Sequence, residues 1–329
     1  MTKLTVSALM VLFLCLSLSP SLSAQISTQV TPSQIDAIFR PLVASDSPGL
    51  AVGVLQHSKL VFARGYGLAN LAQHTPITPT TDFRLASLTK QFTATAIMLL
   101  VHDGKLHYDD TLTKIFSEFP AYGGKITIRE LLNHTSGLKD YEPLYDPHLS
   151  ADHPETTLSQ RNAPLRQVTD KEVLHLLEQQ TTTNFPPGSK WEYSNSGYSV
   201  LAMVVERVSG MPFEDFLAKR IFQPLHMDHT LAFVQGKNTV PNRAFGYGKD
   251  KNGEWMLSDQ SPTSAVLGDG GIYTSINDMA KWDRALIHHT LLSALEMQPS
   301  ITPVEVPGGV QKPDGSASAY GFGWFLDPY

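Results

Sequence analysis

Between Gln91 and Val101 the chain carries no charge (QFTATAIMLLV), and this run sits inside a longer helical stretch from Arg84 to His102. Its Phe92–Val101 part is apolar on every side rather than along one stripe, and a helix of that kind has to be buried. Other elements must therefore wrap around it, and 329 residues suffice for one large domain or two moderate ones. The remaining composition agrees, with 42% hydrophobic and 17% charged residues. A net charge of −6 and the absence of Lys/Arg runs exclude the basic footprint of a nucleic-acid binder.

The N-terminus reads differently. From Leu4 to Ile35 there is no Asp, Glu, Lys or Arg; Lys3 precedes an apolar core, Leu4–Leu18, and Ser19–Ala24 supplies a small-residue cleavage site. A membrane span needs roughly 20 apolar residues, so residues 1–24 read as a signal peptide rather than a retained anchor. Leu14 before Cys15 argues against lipid attachment. Cleavage after Ala24 removes Cys15, the single cysteine, so the mature chain has no disulfide, iron–sulfur cluster or cysteine nucleophile. A periplasmic or secreted location, with no stable membrane anchor after cleavage, is expected.

Along residues 25–329 strands and helices alternate. Ile35–Val43 has helical spacing disturbed by Pro41, and Leu50–Gln56 with Lys59–Gly65 form a hairpin turning at His57-Ser58. Thr127-Ile128-Arg129-Glu130 and Thr169-Asp170-Lys171-Glu172 are capping boxes, the first opening a helix that runs to Gly137 and the second one ending near Gln180. Residues 140–168 read as a loop insertion. Ser196–Val208 and Phe213–Phe222 are further helices separated by Gly210, and a Gly268–Gly271 turn precedes a helix over Ile276–Leu286.

The chemistry starts at Ser87-Leu88-Thr89-Lys90. A serine hydroxyl needs a base, and residues i and i+3 in the first turn of a helix share a face, so Lys90 can reach Ser87. The helix N-terminus adds N–H groups suited to an oxyanion. Ser136-Gly137-Leu138-Lys139 has the same spacing but straddles a helix-ending glycine; a Ser N-cap with a solvated Lys is the bland alternative at either place. Tyr193-Ser194-Asn195 supplies a phenol that can relay protons and an amide that can face both a lysine and a carbonyl. It reads as a loop over a scaffold, and a turn above a packed aromatic is its bland alternative.

Together these residues resemble the serine β-lactamase and penicillin-binding-protein superfamily, in its class C-related form. Ser87–Lys90 resembles the first motif and Tyr193-Ser194-Asn195 the second. Leu131-Leu132-Asn133-His134-Thr135-Ser136-Gly137-Leu138, Trp191–Tyr198, Pro224–Met227 and Gly268–Tyr273 are similar to family stretches in the same order. The resemblance implies an α+β, β-lactamase/transpeptidase-like fold: an antiparallel sheet flanked by helices, with an inserted mainly helical domain. It implies acyl transfer through Ser87, with Lys90 and Tyr193 moving protons and Asn195 orienting lysine and substrate. The family's third motif (K-T-G or H-x-G) is not evident. His102-Asp103-Gly104 ends the buried helix, and Lys251-Asn252-Gly253 reads as a hairpin tip. In the family that motif follows a segment like Tyr320–Trp324, so a chain truncated at its C-terminus is expected.

The expected activity is hydrolysis of peptide, ester or β-lactam carbonyls in a small molecule or peptide. β-Lactamase proper or D-alanyl carboxypeptidase is the nearest alternative, and an inactive binding or scaffold protein is a further one. No G-x-S-x-G or H-E-x-x-H occurs, and no cofactor or metal is expected. Asp146, His148, Asp152 and His153 read as a solvated polar loop, and His288-His289 as a helix end.

Overall fold

The computed structural model describes residues 31–145, 166–312 and 314–327. Residues 1–24, expected to be a signal peptide, and the Asp146, His148, Asp152, His153 cluster lie outside the described residues. The chain enters through α1 (Pro32–Phe39), started by the Thr31–Gln34 capping box, and Pro41 tightens its continuation into a 3₁₀ turn over Arg40–Leu42. The hairpin β1 (Leu50–Gln56) and β2 (Lys59–Tyr66) follows. His57 and Ser58 both adopt positive φ, 50° and 60°, which is the primed turn that matches strand twist. Short strands β3 (Leu68–Asn70), β4 (Thr75–Pro76) and β5 (Phe83–Arg84) lead to the uncharged run.

That run is α2 (Lys90–His102), and every residue from Lys90 to Leu100 is buried. Full burial of side chains such as Phe92, Ile97 and Leu100 is worth about 1.5–3 kcal/mol each relative to exposure. Ser87 precedes the α-helix, on a 3₁₀ turn over Ala86–Thr89, rather than occupying its first turn. The helices α3 (Leu112–Ile115), α4 (Ile128–Leu132), α5 (Asp170–Glu178), α6 (Asn195–Ser209) and α7 (Phe213–Leu217) then succeed one another. Apart from the Thr111–Thr127 bridge, no strand interrupts the described residues between Arg84 and Leu231. Both expected capping boxes form, but α4 stops at Leu132, before Gly137, because His134 turns the backbone to φ 63°. Gly210 closes α6 at φ 71°, while the helix expected over Phe213–Phe222 changes to a π-turn at Ala218.

The C-terminal third supplies β6 (Leu231–Ala232), β7 (Tyr247–Lys249), β8 (Trp255–Leu257), a one-turn helix α8 (Leu267–Gly270), β9 (Ile272–Thr274), α9 (Ile276–Ile287), α10 (Ala294–Met297), β10 (Val310–Gln311) and β11 (Ala317–Ser318). Gly268–Gly270, expected as a turn, are thus helical. All strand pairs are antiparallel, and β9 lies between β5 and β6. The amphipathic α9 packs across β1 and β2, so closely that a Cβ on Gly53 would lie 2.6 Å from the Ile276 side chain. On the other side α2 is covered by α6, α7, α8 and α10. His288 caps α9 as expected. No helix of the described residues is long and apolar enough to cross a membrane.

One buried carboxyl lies just before β5. Asp82 is 0% exposed, with His229 Nδ1 3.8 Å from Oδ1. Burial pushes its carboxyl up to about 6, against the opposing pull of His229 and a backbone donor at Asn242. The folded value lies above the unfolded one, so the carboxyl destabilises the fold fully above pH about 6 and not at all below about 4. Asp82→Asn should therefore raise the melting temperature at pH 7.5, by the equivalent of at most about 3 kcal/mol, and leave it unchanged at pH 4. Equal shifts at both pH values in a calorimetric scan would show that charge burial is not the cause.

Candidate active site

Ser87 is exposed, and Lys90 beneath it is 1% exposed. The 3₁₀ turn has three residues per turn, which eclipses i and i+3 and places Lys90 Nζ 3.3 Å from Ser87 Oγ. Ala86, immediately before the serine, takes φ 47°, a left-handed conformation that costs a non-glycine residue about 1–3 kcal/mol. It re-aims the chain between β5 and α2, leaving the serine at the surface.

A buried ammonium needs acceptors. Lys90 Nζ donates to Ser87 Oγ, to Asn195 Oδ1 at 2.8 Å and to the backbone oxygen of Asp269 at 3.1 Å. It also lies 4.8 Å from the centre of the Tyr193 ring and 5.5 Å from that of Tyr198. Ser87, Lys90, Tyr193 and Asn195 are thus brought together from two distant parts of the chain. The triplet is not a free loop, however. Ser194 is the N-cap of α6, its Oγ accepting from Gly197 N–H at 3.1 Å, and Asn195 is the first helical residue. Asn195 Nδ2 donates to Glu142 Oε1 at 3.2 Å, so an exposed carboxylate stands at the mouth of the site.

The acceptor from Asp269 comes from a segment the sequence did not mark as part of the site. Thr93 Oγ1 donates to Gly268 O at 2.7 Å, and Ile272 N–H donates to Thr89 Oγ1 at 3.3 Å, tying α8 and β9 to α2. Asp170 caps α8 by accepting from the N–H groups of Leu267 and Gly268, at 2.7 and 3.1 Å, and burial pushes its carboxyl up to about 7. The Asp269 carboxyl accepts from Tyr141 Oη at 3.0 Å; burial raises it to about 6, opposed by the charge of Lys90.

The other matching spacing is not assembled. Lys139 turns away from Ser136 and donates to Gln180 Oε1 at 3.0 Å. His102-Asp103-Gly104 lies at the far end of α2, where His102 pairs with Glu296, and Lys251-Asn252-Gly253 forms the tip of the β7–β8 hairpin. Tyr320–Trp324 closes the base of the site. Gly323 adopts φ 83°, and a Cβ there would lie 2.9 Å from Lys90 O and 3.0 Å from Gln91 Cα. Phe325 stacks on Tyr193 at 6.3 Å between ring centres.

Residues 35–329 match the β-lactamase family. Penicillin-binding protein 4* of Bacillus subtilis (strain 168) is 30% identical over 81% of this chain and 57% of its own length. The D-aminopeptidase of Brucella anthropi is 29% identical over 88% of this chain and 51% of its own. The structure of the D-amino acid amidase of Ochrobactrum anthropi SV3, complexed with L-phenylalanine amide, matches with a TM-score of 0.70 and 27% identity, over 90% of this chain and 80% of its own. The chain thus spans little more than half the length of these two curated relatives. On the match over residues 35–329, and on the α+β architecture it shares with the amidase, the chain belongs to the β-lactamase family.

Proposed function

We propose that this chain is an exported serine hydrolase that forms an acyl-enzyme on Ser87. The observation that carries the reading is an exposed hydroxyl 3.3 Å above a buried lysine whose other contacts are already filled. To act as the base, the Lys90–Tyr193 pair must hold one proton fewer than the resting ammonium and phenol; Ser87 Oγ then attacks a carbonyl carbon and its proton passes to that pair. The leaving amine or alkoxide takes that proton as its bond to the carbonyl carbon breaks. Water then attacks the acyl group, giving a proton back to Ser87 and releasing the acid. Ser87 N–H faces the developing oxyanion, and Asn195 holds both the lysine and the substrate.

The Glu142 carboxylate favours one substrate class. A negative group hydrogen-bonded to Asn195 Nδ2 attracts a substrate with an ammonium beside its scissile carbonyl and repels an anionic one, such as a β-lactam carboxylate. That favours amino-acid amides and peptides with a free amino end, in keeping with the names of the aminopeptidase and amidase relatives. Hydrolysis of β-lactams is the weaker reading.

Three outcomes test the proposal. Wild-type chain should be labelled by a fluorophosphonate and Ser87→Ala should not; labelling of both refutes the assignment, and labelling of neither favours a non-enzymatic role. Glu142→Gln should lower kcat/KM for an amino-acid amide about tenfold while leaving its N-acetyl counterpart unchanged. Equal loss on both substrates would show that the carboxylate does not read the ammonium. Lys3, the apolar Leu4–Leu18 core and Ala24 support export, so the mature protein should begin at Gln25. A mass spectrum of exported material retaining residues 1–24 would contradict it.

A further inference from the structure

His134 belongs to the Asn133–Gly137 stretch, to which the chemistry above assigns no task. Its side chain is 1% exposed and lies in a cage of four aromatic rings, with ring centres at 4.5 Å (Tyr193), 4.7 Å (Tyr320), 5.1 Å (Tyr198) and 5.8 Å (Trp191). Two hydrogen bonds fix the imidazole in that cage. Nδ1 accepts from the backbone N–H of Ser194 at 3.2 Å, and Nε2 lies 3.0 Å from Tyr320 Oη. Because a backbone N–H can only donate, Nδ1 must be the bare nitrogen and Nε2 carries the proton toward Tyr320. The backbone oxygen of His134 also accepts from Glu192 N–H at 3.0 Å, so the same residue grips the segment on both sides of Tyr193. Both Tyr193 and Asn195 flank the Ser194 amide, and both contact Lys90.

We propose that His134 is a positioning residue for acyl transfer: as a neutral imidazole it clamps the Ser194 amide and thereby sets Tyr193 and Asn195 against Lys90. Protonation of Nδ1 would abolish the clamp and place a second cation near the lysine. Burial and the Lys90 charge both work against it, holding the imidazole well below its ordinary value. The hydroxyls of Tyr320 and Tyr198 are directed elsewhere, to His134 Nε2 and to Leu132 O.

The inference rests on the acyl-enzyme reading, and two substitutions separate it from a purely structural role. His134→Asn keeps an acceptor oxygen at the δ position and loses the bond to Tyr320, whereas His134→Gln keeps a donor at the ε position and loses the acceptor. For hydrolysis of p-nitrophenyl butyrate by the full chain, His134→Gln should lower kcat about 100-fold with little change in KM. His134→Asn should stay within about fivefold of wild type, and Tyr320→Phe should behave likewise. Equal losses in the Asn and Gln variants, or no loss in Gln, would overturn the proposal. Hydrogen exchange at the Ser194 amide gives a readout that needs no activity. It should be protected in wild type, His134→Asn and Tyr320→Phe, and exposed in His134→Gln; protection in the Gln variant would refute the clamp. A wild-type chain that neither labels nor hydrolyses would refute the acyl-enzyme reading, and with it any catalytic task for His134, even where the exchange pattern holds.

Discussion

The structure turns on an ammonium held where water hardly reaches it. Lys90 begins a helix buried on all sides, and removing a charge from water is costly unless each of its hydrogens finds an acceptor. The acceptors come from the 3₁₀ turn before α2, from the first residue of α6 and from the backbone of α8. Satisfying one cation therefore fixes the relative placement of three segments. Much of the surrounding architecture serves that placement: the threonines that tie α8 and β9 to α2, the Asp170 cap on α8, and the bare Gly323 backbone pressed against the start of α2.

Around this centre several buried polar groups are engaged with one another. Tyr141 and Asp269, and His134 and Ser194, are each joined by a hydrogen bond. Of the four converging side chains, Ser87, raised by the left-handed turn at Ala86, is the exposed one, while Tyr193 and Asn195 are half-buried. The arrangement pairs a rigid interior with a small exposed reactive edge, which is how a serine hydroxyl can be pre-aimed without a mobile side chain having to be ordered on each turnover.

Much of this was legible from local rules. The buried helix followed from an uncharged run, the hairpin from its two short strands, and two helix starts from the Thr–x–x–Glu capping boxes at Thr127 and Thr169. That Ser87, Lys90, Tyr193 and Asn195 would lie together was implied by the family resemblance of their two motifs. What escaped has a physical reason. The Asp269 acceptor is a backbone carbonyl, which leaves no mark in a side-chain pattern. Glu142 lies in a stretch without periodicity, and only tertiary packing brings it to Asn195. The end of α4 was misplaced because a histidine rather than a glycine takes the left-handed conformation there, its ring packed among aromatic side chains.

The three acceptors of Lys90 also bear on timing. One is three residues away, but the others are 105 and 179 residues further along the chain. A nascent chain that has delivered only α2 contains the serine and the lysine, yet nothing orients the amine or shelters it from water. The acceptor set of the lysine is completed only when the C-terminal third docks, so a half-made chain cannot hold the serine and the amine in this geometry.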